Sequence, residues 1–186
     1  MSWSLKFIDE ARSFERWGVL KQEIITLEEF EKRDGLKSGI YSIYANGALV
    51  DINIDIVESL PLIVFFNGAQ KRTPEVTLPV FSGLNVTPKG MTSRLSINDP
   101  SLYMGDDMLM SWYAGSRFVP LQKEIIPRII SKVVQSIDAS RLIFSGGSAG
   151  GFASLYYSKH FKDAICITSN PQTSISTKRV LEQAHI

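Results

Sequence analysis

Residues 142–157 read LIFSGGSAGGFASLYY: a short apolar run, a knot of small residues, then an amphipathic stretch. Gly146, Gly147, Gly150 and Gly151 crowd around a single serine, Ser148. So many glycines weaken both strand and helix unless the backbone has to turn sharply or approach another segment closely. Residues 146–150 fit G-x-S-x-G, directly after a predicted strand (141–144) and at the start of a predicted helix (149 to about 159), the setting in which an exposed serine nucleophile sits on a strained turn. Gly146 and Gly150 leave room for strand and helix to close around Ser148. The helix start aims backbone N–H groups and a positive dipole end at an oxyanion formed there, with the Ala149 N–H as first donor. A phosphate-binding loop would need Gly-Lys-Ser/Thr, whereas Phe152 follows Gly150-Gly151; a dinucleotide fingerprint would need glycine at 148 or 149. If Ser148 were only a helix cap, the four glycines would have no purpose.

The rest of the chain supplies a setting for this turn. Thr26-Leu27-Glu28-Glu29 has capping-box spacing and Gly35 follows as a stop, which predicts a short helix. Runs 40–44 and 49–56 are separated by Asn46-Gly47, and Val50, Ile52, Ile54 and Ile56 alternate with Asp51, Asn53 and Asp55. That predicts a hairpin with one buried face and a solvated row of Asp51, Asn53 and Asp55. The same row begins like a calcium loop, but Ile56 and Leu62 replace the required Gly and Glu. Residues 62–66 are wholly apolar, as in a strand covered on both faces. Residues 94–97 form a further predicted strand between long irregular stretches, where sites are commonly built. Apolar residues from Leu121 to Ile137 recur at helical spacing, so 121–136 is a predicted helix that Pro127 must start or kink. Residues 164–168 form one more strand. Alternating strands and helices in the second half imply βαβ units and a mostly parallel sheet.

With these residues in place, the sequence resembles the α/β-hydrolase superfamily, and within it the esterase-like members. The resemblance runs from about 61 to 173 and rests on LIVFFNGA, LQKEIIPRIISKVVQSIDASR, FSGGSAGGFASL and DAICITSNPQT. A weaker similarity, in SINDPSLYMGDDMLMSWYAGS and NPQT, is to bacterial hydrolase-like proteins of surface-glycan and glycoprotein export, of the accessory Sec glycan acetyltransferase type. The resemblance implies a three-layer fold in a single domain, 1–186, with a helix and hairpin portion (1–60) ahead of the hydrolase core (61–173). It implies a serine hydrolase or O-acyltransferase working through an acyl-serine at Ser148, possible substrates being esters and glycan O-acyl groups. The loop Asn67-Gly68-Ala69 falls where the superfamily places its second oxyanion donor, so the N–H of Gly68 or Ala69 is expected to join that of Ala149. Asn67, Trp112, Tyr113 and Gln172 are candidate pocket residues; loop anchoring is the competing role for the two aromatics.

The triad order Ser, acid, His cannot be completed in the same way. Only 38 residues follow Ser148. His160, twelve residues along one helix, would stand ~18 Å away, far beyond the ~3 Å a general base needs. Glu182 and His185 pair with each other more readily than they orient a triad. Asp99, Asp106 and Asp107 precede Ser148 and read as solvated turn residues. The expectation is a hydrolase domain truncated after the strand that follows the Ser148 helix, with that strand as an open edge. The alternative is a non-catalytic remnant or interaction module completed by a protein partner or by self-association at the edge.

Composition narrows the partners. A formal charge of +1, without blocks of like charge, argues against nucleic acid. No run of ~20 apolar residues and no secretory pattern appears, which points to a cytoplasmic protein. The single cysteine, Cys166, is expected as a buried thiol. No metal-ligand cluster is present, and the chemistry calls for no cofactor.

Overall fold

A computed structural model describes residues 12–19, 22–73 and 75–175. Among these residues seven strands form one sheet: β1 (Ile24–Thr26), β2 (Gly39–Ala45), β3 (Ala48–Asp55), β4 (Leu62–Phe66), β5 (Ser93–Ile97), β6 (Leu142–Gly147) and β7 (Ile165–Ser169). Their order is β1-β2-β3-β5-β4-β6-β7. The Asn46-Gly47 turn makes β2 and β3 an antiparallel hairpin and β3 meets β5 antiparallel, while β5, β4, β6 and β7 run parallel to one another. Every residue of β4 is buried, as its unbroken apolar run predicts for a central parallel strand.

Among the described residues three α-helices pack on the sheet. Helix α1 (Leu27–Lys32) is shorter than the spacing suggests, but it starts on the predicted capping box, with Thr26 and Glu29 each accepting from the other's backbone N–H. Helix α2 (Ile126–Ser136) follows a π-turn over Leu121–Ile125, and Pro127 lies in its first turn, where the π-turn passes into α-helix. Its buried Ile126, Ile129, Ile130 and Val133 form the inner stripe, while outward Arg128 grips both carboxylate oxygens of Glu31 at 2.8 and 2.6 Å. Helix α3 (Ser148–Ser158) buries Ala149, Gly150, Gly151, Ala153, Ser154 and Tyr157.

Leu62, Val64 and Phe66 share one core with the stripes of α1, α2 and α3. The alternate residues point to the opposite face, where Phe65 lies against Gly83 and Leu49 packs with Leu78, Leu102 and Tyr103. That second layer is built mainly from the long loops between β4 and α2. Fully burying a side chain such as Phe66 contributes about 1.5–3 kcal/mol.

Two expectations about polar residues are overturned. Asp51 is not on a solvated face: it is fully buried, accepts from Arg12 at 2.9 Å and from the hydroxyls of Ser42 and Tyr103, and so ties the segment before β1 to the sheet. The alternation placed Asp51 opposite the helices, but that face is covered as well. Asp99 is 3% exposed and belongs to the site below. Cys166 is half-buried instead of buried, because β7 is an edge among the described strands. On β7, Ile167 is 59% exposed and Ile165 is exposed too.

Candidate active site

Strand register creates the site. Phe66 lies beside Gly146, so the residues just past β4 emerge next to those just past β6; Gly147 lies beside Ser169, so the segment after β7 emerges on the other side. Ser148 thus stands at the carboxyl ends of parallel strands, flanked by residues 67–69 and 169–172. In open α/β sheets that is where ligands collect.

Ser148 has φ +52, a left-handed conformation that non-glycine residues seldom hold unless their surroundings impose it. The glycines are the imposing geometry. A Cβ on Gly146 would lie 2.5 Å from the Gly150 carbonyl, and one on Gly150 would lie 2.3 Å from the Phe66 carbonyl oxygen. One on Gly151 would strike Pro171 at 2.8 Å. Strand, helix and the 169–172 loop therefore close on each other through these three positions, and the turn carrying Ser148 projects from the closure.

Ser148 is half-buried, and its hydroxyl has no hydrogen-bond partner among the described residues. No side chain caps α3. The serine is thus not a helix cap, and no side chain meets the first amides of the helix, that of Ala149 among them. Gly68 is the next neighbour: its side-chain direction points to within 3.9 Å of Ser148 Cβ. Among the described residues the amides of Gly68 and Ala69 donate to no protein acceptor. The fold brings Ser148, Ala149 and Gly68 together, with Ala69 next in chain.

The four pocket candidates divide. Trp112 lies buried against Ala149, with Met110 and Phe152 packed around them, and its indole N–H donates to the side-chain oxygen of Gln172. Gln172 in turn donates its backbone N–H to the Ser148 carbonyl at 3.1 Å. Both therefore flank the serine. Asn67 and Tyr113 are not pocket walls. Tyr113 is 1% exposed, donates its hydroxyl to the Ile97 carbonyl at 2.9 Å and accepts from the Asn67 N–H at 2.6 Å. The Asn67 side chain donates to the Val80 carbonyl at 2.6 Å and accepts from Ser82. Buried polar groups find partners inside the protein, and here the partners lie behind the site.

Asp99 is the residue that sequence reasoning misjudged most. Its carboxylate accepts three backbone N–H groups, from Ser101 at 3.0 Å and from Ser111 and Tyr113 at 3.1 Å each. Burial pushes its carboxyl upward in pKa, against the pull of those amides. The signal was present in Asp99-Pro100-Ser101, since an aspartate two residues ahead of an amide readily caps a turn. Asp106 and Asp107 are exposed as expected, Asp106 pairing with Arg72 at 3.3 Å. His160 is exposed just beyond α3, its ring against Tyr156 and Tyr157. Glu182 and His185 lie outside the described residues. No group of acidic, His or Cys side chains among the described residues is arranged to hold a metal, and no helix there is long and apolar enough to cross a membrane.

A mixed, mostly parallel sheet with α-helices packed on it is an α/β-hydrolase-like fold. Among solved structures, the chain is similar to the capsule O-acetyltransferase of Neisseria meningitidis serogroup A in complex with caged gadolinium, at 13% identity and TM-score 0.52, covering 75% of this chain and 61% of that one. A mutant of the same enzyme in complex with CoA gives 13% identity and TM-score 0.53 over 84% of this chain and 63% of that one. Est1E from Butyrivibrio proteoclasticus aligns with TM-score 0.44 at 15% identity, over 72% of this chain and 51% of that one. The chain thus spans about six-tenths of the length of the O-acetyltransferase structures. No family model matches the sequence, and no curated protein matches it.

Proposed function

We propose that Ser148 is the nucleophile of an acyl-transfer reaction, ester hydrolysis or O-acyl transfer, on a small-molecule or glycan ester. The observation that carries this reading is the left-handed Ser148 at the start of an uncapped helix, with Gly68 against it. In this scheme Ser148 Oγ attacks the acyl carbonyl and its proton passes to a base that the described residues do not supply. The carbonyl oxygen becomes an oxyanion held by the N–H of Ala149 and that of Gly68 or Ala69. Collapse expels the alcohol or thiol, which takes up a proton, and leaves an ester on Ser148. Water then completes hydrolysis, or an acceptor hydroxyl completes transfer. The fold it shares with a capsule O-acetyltransferase supports glycan O-acyl groups as the substrate class, and the CoA complex of that enzyme brings in a CoA thioester as a donor to test.

The test is a fluorophosphonate probe read by intact-protein mass. The full-length protein is expected to gain one phosphonyl group and Ser148→Ala none. Equal labelling of the two would exclude Ser148 as the nucleophile.

A second reading, an interaction module completed at its sheet edge, is favoured by the exposed Ile165 and Ile167 on β7 and by the distance of His160 from the turn. Light scattering decides between a partner-dependent assembly and a well-behaved monomer. A monodisperse monomer would count against this second reading.

A further inference from the structure

Trp112 and Tyr113 are consecutive non-glycine residues in the left-handed region, at φ +55 and +56. Two such residues in succession persist only when their surroundings over-determine them. The Ala114 N–H donates to the Ser111 carbonyl at 3.0 Å and closes this turn, and one buried atom ties the turn to the rest of the loop. Asp99 Oδ2 accepts the N–H of Ser111 and the N–H of Tyr113, the residues on either side of Trp112. From this carboxylate two chains of contact lead to opposite flanks of Ser148. Along the first, Trp112 packs on Ala149 and donates to Gln172, whose backbone N–H holds the Ser148 carbonyl. Along the second, the Tyr113 hydroxyl holds the Asn67 N–H, the amide immediately before Gly68, while Tyr157 donates to the Tyr113 carbonyl at 2.8 Å.

We propose that Asp99 is a positioning residue for the Ser148 site, a single buried carboxylate that sets the serine turn and the Gly68 loop relative to each other. For reactivity this rests on the proposed role of Ser148; for geometry it does not. A carboxylate suits the task because it accepts several amides at once and donates none. An asparagine of the same shape must turn an NH2 toward at least one of those amides.

The test compares Asp99→Asn with Asp51→Asn, which alters an equally buried carboxylate whose partners, Arg12, Ser42 and Tyr103, lie outside the site. Hydrogen exchange is followed at the amides of Asn67 and Gln172, and the rate of Ser148 phosphonylation is measured on the folded protein. Asp99→Asn is expected to speed exchange at both amides and to slow labelling by ~10–100-fold, the scale of an ångström-sized misplacement. Asp51→Asn is expected to lower the melting temperature and leave both readouts at wild-type values. Wild-type protection and labelling in Asp99→Asn would overturn the proposal, as would equal losses in the two variants. Should Asp99→Asn fail to fold, Trp112→Phe keeps the ring on Ala149 and removes its N–H donor. Unchanged Gln172 exchange and unchanged labelling in that variant would also overturn it. If wild-type protein takes up no phosphonate, the nucleophile reading fails, and exchange at Asn67 and Gln172 still decides the role of Asp99.

Discussion

Asp51 and Asp99 are both withdrawn from water and solve the problem of a buried carboxylate differently. Asp51 meets a guanidinium and two hydroxyls, all side chains, from the segment before β1, from β2 and from the loop at Tyr103. Asp99 meets three backbone amides within fifteen residues of itself and, among the described residues, no counter-charge. A side-chain cluster joins elements that already have their own hydrogen bonds. An amide cluster fixes the path of an irregular loop. The first contributes mainly to stability, and the second to where Trp112 and Tyr113 stand relative to Ser148.

Several measurements would break or sharpen this contrast. The largest effect is expected from Asp51→Ala, which removes the buried acceptor shared by Arg12, Ser42 and Tyr103: a loss of about 3–5 kcal/mol in denaturant unfolding. A loss below 1 kcal/mol would mean that the cluster contributes little. Gly150→Ala comes next, at about 1–3 kcal/mol, because the added methyl meets the Phe66 carbonyl and helix α3 must move. It should also slow phosphonylation, whereas Asp51→Ala should leave the folded fraction reactive. Tyr113→Phe strands the Asn67 amide and the Ile97 carbonyl, at a cost of about 1–3 kcal/mol. Faster exchange at Asn67 with stability unchanged would assign the hydroxyl to geometry alone.

The smallest effect is on pH dependence. Burial raises the carboxyl pKa of both Asp51 and Asp99, so each binds its proton more readily in the folded chain than in the unfolded one. Stability from this source is complete below the ordinary aspartate range, ~3.9, and is lost as pH rises through the raised folded value. Wild type should therefore lose melting temperature relative to Asp99→Asn, whose amide does not titrate, as pH increases. Glu31 behaves in the opposite sense. Hydrogen bonds from Arg128 hold its carboxyl below the usual range, so its contribution is present above that range and fades as pH falls. Arg128→Ala and wild type should accordingly converge in acid.

Much of the frame can be read from local pattern. Asn46-Gly47, the capping box at Thr26, the apolar run of β4 and the stripe of α2 each act over a few residues, and each forms where its chemistry predicts. The glycines around Ser148 are legible for the same reason, since only a close approach needs so many in one place. Asp51, Asp99 and Tyr113 are not. Alternation states which face of β3 a residue occupies, not whether a loop about fifty residues further on covers that face. Asp99-Pro100 announces a turn, not the later amides that the carboxylate will gather.

By itself, then, the sequence determined a strand-to-helix turn with Ser148 at its point, because backbone strain and helix-start amides are properties of neighbouring residues. Only the tertiary structure decided what surrounds that turn. The register of β4, β6 and β7 brings residues 67–69 and 169–172 to its two sides. The folded loops make Asp99 a buried anchor and leave Ile167 exposed on an edge. Burial and long-range hydrogen bonding depend on which distant segments arrive, and no local pattern encodes that arrival.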